Sequence, residues 1–311
     1  MKVIVQIPCL NEAKTLPITL KDIPRKIENV SKVEVLVIDD GSTDRTSEVA
    51  KEHGVEHIVR FRGRKGLARA FEAGVEAALS LGADILVNTD GDNQYRGEDI
   101  KKLVKPIIDG EADIVVGSRD IDHIRHFSVF KKILQKMGSW VVRRVSGTNI
   151  PDASTGFRAY SRKALLEINI VSEFSYTLET IIEAGKKNLA ISNVSVRTNP
   201  PLRKSRLYKS IFQYITKSAN TILRIYTMYE ALYVFMMIGL VVFFCGTVLF
   251  LRYLYFYIFN LNPTGHIQSL ILGAVLSLIG LQVMVFGLVA DLVSSNRKLI
   301  EKILIKIKRK S

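Results

Sequence analysis

Two long uncharged runs near the carboxyl terminus constrain this chain of 311 residues more than any other feature. The first run extends from Ala231 to Leu251, and the second extends from Ile267 to Ala290. A helix needs about 20 apolar residues to cross the roughly 30 Å of hydrocarbon in a bilayer. The runs therefore predict two transmembrane helices, about 231–255 and 267–293. Two buried core helices are disfavoured, because the runs are too long and nearly adjacent.

Basic residues predict the orientation of this hairpin. Seven Lys and Arg residues and one acid lie between Arg197 and Glu230, and the final 15 residues contain seven more bases and one acid. Cytoplasmic flanks of membrane helices are enriched in such residues. No signal peptide precedes the first predicted strand, so we expect the N-terminal domain to stay where it is made. The prediction is a multi-pass protein of the cell membrane with this domain in the cytoplasm.

The net charge of +14 has a membrane explanation as well. A basic chain invites a nucleic-acid interpretation, but here the excess lies beside the spans, where each base contributes about 1 kcal/mol at an anionic leaflet. We therefore predict membrane lipids and no nucleic acid as partners. Cys9 and Cys245 are expected on different sides of the interface, where they cannot pair, as packing residues in a reducing compartment.

The expected organisation has four parts. Residues 1–205 form an α/β domain, 206–230 a juxtamembrane amphipathic helix, 231–293 the two spans and 294–311 a basic cytoplasmic tail. The tyrosines, isoleucines and lysines of residues 207–229 suit a helix in the headgroup layer, although a helix packed on the first domain is the competing interpretation. The tail is also expected to lie in the headgroup layer, or to bind anionic lipid.

Strands and amphipathic helices alternate along the first 200 residues. The predicted strands are Lys2–Ile7, Glu34–Asp39, Glu56–Arg60, Asp84–Asn88, Asp113–Ser118, Phe157–Ser161 and Ile191–Arg197. The predicted helices between them are Thr43–His53, Leu67–Leu81 and Glu98–Asp109. This pattern predicts a mostly parallel, Rossmann-like sheet covered on both faces. Such sheets bind ligands at the carboxyl ends of their strands.

Carboxylates collect at those ends. The strands finish with "IPCLNE", "VIDDGSTD", "VNTDGDNQ" and "VVGSRD", which place at least six acids along one edge. Such a group repels itself unless a positive charge lies within it. Mg²⁺ or Mn²⁺ bound to a diphosphate meets this need, because these ions prefer oxygen ligands and commonly use one or two carboxylates plus phosphate oxygens. Gly91 is expected to let the chain bend so that Asp90 and Asp92 turn to the same side.

Six segments together resemble a known family. They are "IPCLNE", "VIDDGSTDRT", "GRKGLARAFEAG", "NTDGDNQY", "VVGSRD" and "DASTGFRAYSRKAL". In this order they resemble the GT-A glycosyltransferases of family 2, and more narrowly the polyprenyl-phosphate sugar transferases typified by dolichol-phosphate mannose synthase. The segment "TNPPLRKSRLYKS" resembles the acceptor segment of that group, although Arg206 follows Ser205 where the related synthases usually have a lysine.

The resemblance implies a site for a nucleotide-sugar donor. Its nucleoside ligands would be Pro8, Glu12, Asp39 and Asp40. For the two aspartates, a capped turn before Thr43 is the structural alternative. Lys65 would reach the diphosphate, or it is simply a solvated lysine. The residues implied at the metal and diphosphate are Asp90, Asp92 and Gln94, and the metal is Mg²⁺ or Mn²⁺.

The implied reaction is an inverting sugar transfer to a polyprenyl phosphate. A phosphomonoester is mostly dianionic at neutral pH, so a strong general base is less necessary, whereas arginine suits binding of the acceptor phosphate. The candidate arginines are Arg119, Arg158, Arg197, Arg203 and Arg206. Asp92 and Asp152 are the candidate catalytic carboxylates, and Glu179 is a weaker candidate that would otherwise face solvent.

Three other functions compete with this prediction. A processive polysaccharide synthase is disfavoured, because there is no Gln-x-x-Arg-Trp segment and two spans are few for an export channel. A catalytically inactive nucleotide-binding tether is disfavoured by the intact aspartates, and a nucleic-acid binder by the placement of the charge. His123 and His126 lack further metal ligands nearby, so we do not assign them to a metal. The sugar, UDP or GDP, a dolichyl or undecaprenyl carrier and homo-oligomer formation are left open.

Overall fold

The computed structural model of the chain describes residues 1–119, 129–171, 176–200, 211–259 and 266–308. These residues form two compact units, one mainly of Met1–Ile225 and the other of Tyr226–Ile307. The first unit contains the whole sheet, and the second contains two long apolar helices.

Each predicted strand is present, with ends moved by at most two residues. The strands are β1 (Lys2–Cys9), β2 (Lys32–Asp39), β3 (His57–Arg60), β4 (Ile85–Asn88), β5 (Ile114–Arg119), β6 (Arg158–Ser161) and β7 (Ile191–Val196). Their order in the sheet is β3-β2-β1-β4-β6-β5-β7. Strand β6 runs antiparallel to both of its neighbours, whereas the other pairs are parallel. The predicted mostly parallel sheet is thereby confirmed.

Helices connect the strands of the first unit. They are α1 (Leu16–Asp22), α2 (Thr46–Glu52), α3 (Leu67–Ser80), α4 (Ile100–Ile108), α5 (Val129–Ser146), α6 (Arg162–Glu167) and α7 (Tyr176–Lys186). Helix α8 (Ile211–Tyr229) follows the last strand, β7. Helix α2 begins three residues later than predicted, because Asn11 Oδ1 accepts hydrogen bonds from the backbone N–H groups of Thr43 (2.8 Å) and Asp44 (3.3 Å) and holds them in a turn. A 3₁₀ turn, Gly97–Asp99, precedes α4.

The central strands are buried on both faces, as expected for a sheet between two layers of helices. Leu36, Val37 and Ile38 are fully buried in β2, and Ile4 and Val5 are fully buried in β1. The carboxyl ends of β1, β2, β4 and β5 lie along one edge, and antiparallel β6 begins at the same edge. The loops that follow the four parallel strands, and the loop that leads into β6, therefore meet there.

A buried carboxylate stabilises the opposite, amino-terminal part of the sheet. Glu34 in β2 is 3% exposed and lies 2.7 Å from Lys2 Nζ, 2.5 Å from Lys32 Nζ and 2.9 Å from His57 Nε2. Burial alone would raise its pKa, but the hydrogen bonds from these three partners outweigh burial and lower the pKa from 4.5 to about 2. The ionised form is therefore the form that stabilises the fold.

Glu34→Gln should lower the free energy of unfolding at neutral pH by about 1–2 kcal/mol, since the three partners are partly exposed and solvent screens them. Because the folded-state pKa lies below the ordinary value, this stabilisation is present above pH 4.5 and is lost as the pH falls toward 2. Unfolding curves of both proteins across this range measure the effect. Glu52→Gln, in the exposed pair with Arg45, is the control. A difference from wild type that does not shrink in acid would contradict the assignment.

The second unit is a pair of antiparallel helices, α9 (Ala231–Ile258) and α10 (Ile267–Lys308). Both are long and apolar enough to cross a membrane, with mean hydropathies of 2.7 and 2.3, and only 11% and 17% of their most apolar windows are buried. They are thus not core helices of a soluble fold. Helix α10 continues as one helix of 42 residues through most of the predicted tail.

Glycines spaced by seven residues line the contact between these helices. They are Gly239 and Gly246 in α9, and Gly273, Gly280 and Gly287 in α10. A Cβ on Gly280 would lie 2.5 Å from Phe243 N and 2.7 Å from Gly239 O, so the backbones touch directly. Small residues permit such close packing between membrane helices. A repeat of seven residues also indicates a left-handed crossing.

Candidate active site

The loop after β4 carries the predicted metal ligands Asp90, Asp92 and Gln94. The chain turns at Gly91 and Asp92, although Gly91 does not have a positive φ. A Cβ there would lie 3.0 Å from Cys9 Sγ and 3.4 Å from Glu12 Cγ, so glycine is needed for the close approach of this loop to the end of β1. The left-handed residue is instead Asn93, with φ 58°, and Gln94 N donates to Asp92 Oδ1 at 3.2 Å.

The donor set of this loop fits a hard divalent cation, because two carboxylates and an amide supply only oxygen ligands. Within the described ranges, no group of three or more His, Cys, Asp or Glu side chains could hold a metal ion. A cation here would therefore need oxygens from a bound diphosphate, as predicted for a metal nucleotide. Asp90, Asp92 and Gln94 remain the predicted ligands.

The predicted gathering of acids is visible around Cys9. Burial, and then the negative charges of Glu12, Asp39, Asp44 and Asp90, raise the pKa of the Cys9 thiol well above its ordinary value. The thiol is 2% exposed and neutral. Cys9 is thus a packing residue, as expected, and carboxylates from three different loops lie near enough to act on it.

Asp39 caps the turn after β2. It is fully buried, and its Oδ1 accepts from Ser42 N at 2.7 Å. Its Oδ2 accepts from Ser47 Oγ and lies 3.5 Å from Arg60 Nε. The structural alternative, a capped turn, is therefore present at Asp39. Its contact with a nucleoside remains a prediction.

Asp40 holds the loop that contains Lys65. Its Oδ1 accepts from Lys65 N at 2.6 Å, and its Oδ2 accepts from Gly66 N at 3.0 Å. The Lys65 ammonium is exposed and lies 4.7 Å from the centre of the Phe61 ring. Asp40 thus fixes the backbone of a loop whose lysine side chain extends toward solvent.

The other two predicted nucleoside ligands lie at the end of β1. Pro8 is half-buried and is paired with Ile38 of β2. The pairing of β1 with β4 ends two residues earlier, at Gln6. Glu12 is 4% exposed, and its Oε2 accepts from Thr15 Oγ1 at 2.6 Å. Pro8 directly precedes Cys9, and Glu12 is one of the acids that act on the Cys9 thiol.

Arg119 and Asp152 form a buried bidentate ion pair. Nε of Arg119 lies 2.7 Å from Asp152 Oδ2, and Nη2 lies 3.1 Å from Oδ1. Nη2 also donates to Ser154 Oγ at 2.9 Å. The Asp152 side chain is fully buried and that of Arg119 is 8% exposed. Asp152 is thus placed to position the guanidinium.

This pair lies close to Asp90 in the loop after β4. Burial raises the pKa of Tyr95 to about 12, although the positive charge of Arg119 opposes this shift. The negative charges of Asp90 and Asp152 also raise the pKa, so all three charged groups lie near the Tyr95 hydroxyl. The Tyr95 hydroxyl therefore stays protonated at neutral pH and accepts from Thr155 Oγ1 at 3.1 Å. The structure thus brings together Asp90 of the loop after β4, Arg119 at the end of β5 and Asp152 in the loop that leads into β6.

Two sequence-based expectations are corrected here. Arg158 is fully buried, and its guanidinium donates to Thr177 O (2.7 Å) and Ala153 O (2.8 Å), so it supports the loop of Asp152 and is not accessible to an acceptor phosphate. Glu179 does not face solvent. It is 3% exposed and accepts from Val171 N at 2.9 Å, which gives it a structural role.

Arg197 is half exposed and anchored by acids. Its backbone N and its Nη2 lie 2.7 and 3.1 Å from the two oxygens of Asp99, and Nη2 lies 3.3 Å from Glu98 Oε2. The guanidinium is therefore partly neutralised before any phosphate arrives. The remaining predicted positions Arg203, Arg206, His123 and His126 lie outside the described residues.

The chain after β7 pairs with the loop that follows β4. Thr198 forms a β-bridge with Tyr95, and Asn199 N donates to Gln94 O at 2.9 Å. The Asn199 side chain donates to Asn93 O at 3.1 Å. Sequence reasoning missed this contact, because no local pattern links an asparagine before two prolines to a loop about 100 residues earlier.

A buried polar network lies at the base of the loop that follows β4. Asn88 Nδ2, at the end of β4, contacts Tyr176 Oη at 2.7 Å and Gly156 O at 2.8 Å. A Cβ on Gly156 would lie 2.9 Å from Tyr176 Oη and 3.3 Å from Asp90 Oδ1. Gly156 therefore leaves room for these groups. Sequence analysis missed Asn88 and Tyr176, since neither carries a charge or a recognisable spacing.

A comparison with known families identifies this arrangement. The model described as glycosyl transferase family 2 matches residues 4–168, more than half of the chain. The chain belongs to that family. The matched range includes Asp40, Asp92 and Asp152, and the resemblance predicted from the sequence is confirmed. The protein is thus a glycosyltransferase.

Two relatives of this glycosyltransferase are enzymes named for their reactions. UDP-N-acetylglucosamine–dolichyl-phosphate N-acetylglucosaminyltransferase from Methanococcus voltae is 29% identical over 62% of this chain and 83% of that protein. Undecaprenyl-phosphate mannosyltransferase from Micrococcus luteus is 32% identical over 55% of this chain and 70% of that protein. The relatives are sugar transferases of polyprenyl phosphates.

A solved structure supports the fold of the glycosyltransferase. Glucosyl-3-phosphoglycerate synthase from Mycobacterium tuberculosis, in complex with Mn²⁺, UDP and glucosyl-3-phosphoglycerate, superposes with a TM-score of 0.56 at 19% identity, covering 73% of this chain and 78% of that one. Another structure of that synthase contains Mg²⁺ and UDP. At this identity the likeness shows the GT-A fold, as predicted.

Proposed function

We propose that this glycosyltransferase moves a sugar from a UDP- or GDP-linked donor to a dolichyl or undecaprenyl phosphate, with inversion at the anomeric carbon. The observation that carries the proposal is the meeting of the Asp90–Asp92 loop with the buried Arg119–Asp152 pair at one edge of the sheet. The curated relatives that act on polyprenyl phosphates support the choice of acceptor.

Asp90, Asp92 and Gln94 would hold Mg²⁺ or Mn²⁺ together with the diphosphate. When bound, the cation supplies Lewis-acid assistance by neutralising the charge on the leaving diphosphate. Pro8, Glu12, Asp39 and Asp40 would bind the nucleoside, and Lys65, on a loop fixed by Asp40, would reach the diphosphate. The nucleoside and the cation would then occupy neighbouring loops of one edge.

Arg119 is the arginine that we assign first to the acceptor phosphate. Asp152 engages its Nε and Nη2, and the described part of the chain supplies no acceptor for its Nη1. A guanidinium held in this way donates to phosphate without losing further rotamer freedom. Asp152 is then a positioning residue, because both of its oxygens already accept hydrogen bonds from Arg119. Arg197, Arg203 and Arg206 remain proposed contacts, and Arg158 is withdrawn.

The two apolar helices would place this reaction at the membrane. We propose that both helices span the bilayer with the first unit and the basic tail in the cytoplasm, since bases flank the spans on that side. A polyprenyl chain is insoluble, so its phosphate is met at the bilayer surface. Helix α8 contains tyrosines, isoleucines and few charges, which suits the headgroup layer.

The test uses the full chain in detergent with Mg²⁺ or Mn²⁺, a polyprenyl phosphate and a panel of radiolabelled nucleotide sugars. We expect label from one donor in the organic phase, in a product whose anomeric configuration is opposite to that of the donor. Label only in a water-soluble polymer would indicate a processive synthase. Binding of nucleotide without turnover would indicate an inactive tether.

A further inference from the structure

Helix α5 has a buried face that holds the loop of Asp152. Ser139, Val142 and Ser146, at spacings of three and four residues, are 3%, 0% and 4% exposed. Ser139 Oγ accepts from Ala153 N at 3.2 Å, and Ala153 directly follows Asp152. The position of α5 is therefore linked to the position of the buried pair that orients Arg119.

The opposite face of α5 is exposed and apolar at its centre. Met137 and Trp140 are 52% and 59% exposed, and Lys136 and Arg144 are exposed beside them. Met137, Trp140 and Arg144 are separated by three and four residues, so they share one side of the helix. We call Lys136, Met137, Trp140 and Arg144 the outer face of α5.

The charge of this helix has one sign. Between Val129 and Ser146 there are five Lys and Arg residues and no acid. Trp together with Lys and Arg is the composition of helices in the headgroup layer. The outer face thus combines apolar groups for the acyl boundary with charges for anionic lipid.

We propose that the outer face of α5 docks on the headgroup layer of an anionic bilayer. The proposal rests on the proposed membrane location of the enzyme. It adds a second contact, on the first unit itself, to the two apolar helices. A second copy of the chain is the weaker occupant, because a two-fold interface would bring two basic faces together. An acidic leaflet complements this face and attracts each base by about 1 kcal/mol.

Docking would connect lipid binding to the active site. The inner face of α5 contacts the backbone beside Asp152, and Asp152 holds the guanidinium of Arg119. A bilayer bound to the outer face would therefore fix the distance between Arg119 and the headgroup layer. The phosphate of a polyprenyl phosphate lies in that layer.

Trp140 supplies the probe, since it is the only tryptophan in the chain. The full-length enzyme is reconstituted into bilayers of phosphatidylcholine with or without phosphatidylglycerol, each containing lipids with a nitroxide on the headgroup or at the end of the acyl chain. We expect the headgroup nitroxide to quench Trp140 fluorescence about twofold or more, to quench it more than the chain-end nitroxide does, and to do so more strongly with the anionic lipid.

Lys136→Glu with Arg144→Glu should reduce this quenching to about the level of the neutral bilayer. Lys101→Glu with Lys105→Glu on α4 makes the same change in net charge at exposed positions and should leave the quenching as in wild type. Circular dichroism of each variant checks that it is folded.

Three results would overturn the proposal. They are emission from a water-exposed tryptophan with no quenching by either lipid, quenching that is equal in neutral and anionic bilayers, and burial of Trp140 that depends on the protein-to-lipid ratio, which would indicate self-association. These outcomes do not depend on turnover. Sugar transfer in detergent tests the proposed function separately, so either idea can fail without the other.

Discussion

Asp92→Ala should lower sugar transfer into the lipid fraction by about a thousandfold. If Asp92 is a ligand of the cation, as proposed, loss of its carboxylate weakens the binding of both the cation and the diphosphate that the cation neutralises. A contribution of about 4 kcal/mol to the barrier corresponds to that factor, since each 1.36 kcal/mol is tenfold. Initial rates of labelled lipid formation at saturating divalent cation measure it.

Asp109→Asn is the matched control for this variant. Asp109 follows α4 and pairs with Lys105 at 2.9 Å on the surface. The substitution therefore removes one negative charge, as Asp92→Ala does, but at a position outside the loop after β4. We expect it to keep wild-type rates. If Asp92→Ala retains more than about a tenth of the activity and still requires the cation, Asp92 is not a ligand.

The second large effect concerns Arg119 and Asp152. Arg119→Met leaves the fully buried Asp152 carboxylate without its cation, which should lower the free energy of unfolding by about 3–5 kcal/mol. The double variant Arg119→Met with Asp152→Leu removes both charges and keeps similar side-chain volumes. It should recover most of the lost stability, because a buried ion pair replaced by apolar residues is often neutral in stability.

Activity separates the proposed role of this pair from a purely structural one. If Arg119 binds the acceptor phosphate, the double variant should be stable and yet retain about 1% of the activity or less. Thermal unfolding in detergent and labelled lipid formation measure the two properties on the same sample. Arg45→Met, in a pair exposed on both sides, should change neither measurably. Recovery of activity together with stability would show that the pair only supports the fold.

The sheet was predictable because its central strands are short, mostly apolar runs between turn residues. Strand β2, for example, is buried at every position from Val33 to Asp39, and such a run has no competing helical period. The antiparallel direction of β6 was not predictable, since it depends on pairing with β4 and β5 rather than on any residue inside β6. Helix α5 was missed, because its apolar face is interrupted by serines and lysines.

The residues of the site were easier to find than their partners. The acids at the strand ends could be identified in the sequence. Turn capping and ligand binding use the same side chains, however, so the hydrogen-bond partners of Asp39 and Asp40 could be found only from the structure. Arg158 was misjudged because arginine favours surfaces. It alternates with Phe157 and Ala159 in a strand that is covered on both faces, and this pattern is the signal that predicts its burial.

The pairing of Thr198 and Asn199 with the loop of Gln94 limits how far the catalytic chemistry can be from the lipid. Only 11 residues, 200–210, separate Asn199 from the first residue of α8. Even fully stretched, at about 3.5 Å per residue, that length of chain reaches about 40 Å. If α8 lies in the headgroup layer, the carboxylates are therefore held within a distance of that layer only slightly greater than the thickness of the hydrocarbon core. Inserting glycines and serines into residues 200–210 would let the carboxylates move farther from the membrane surface without changing any proposed ligand.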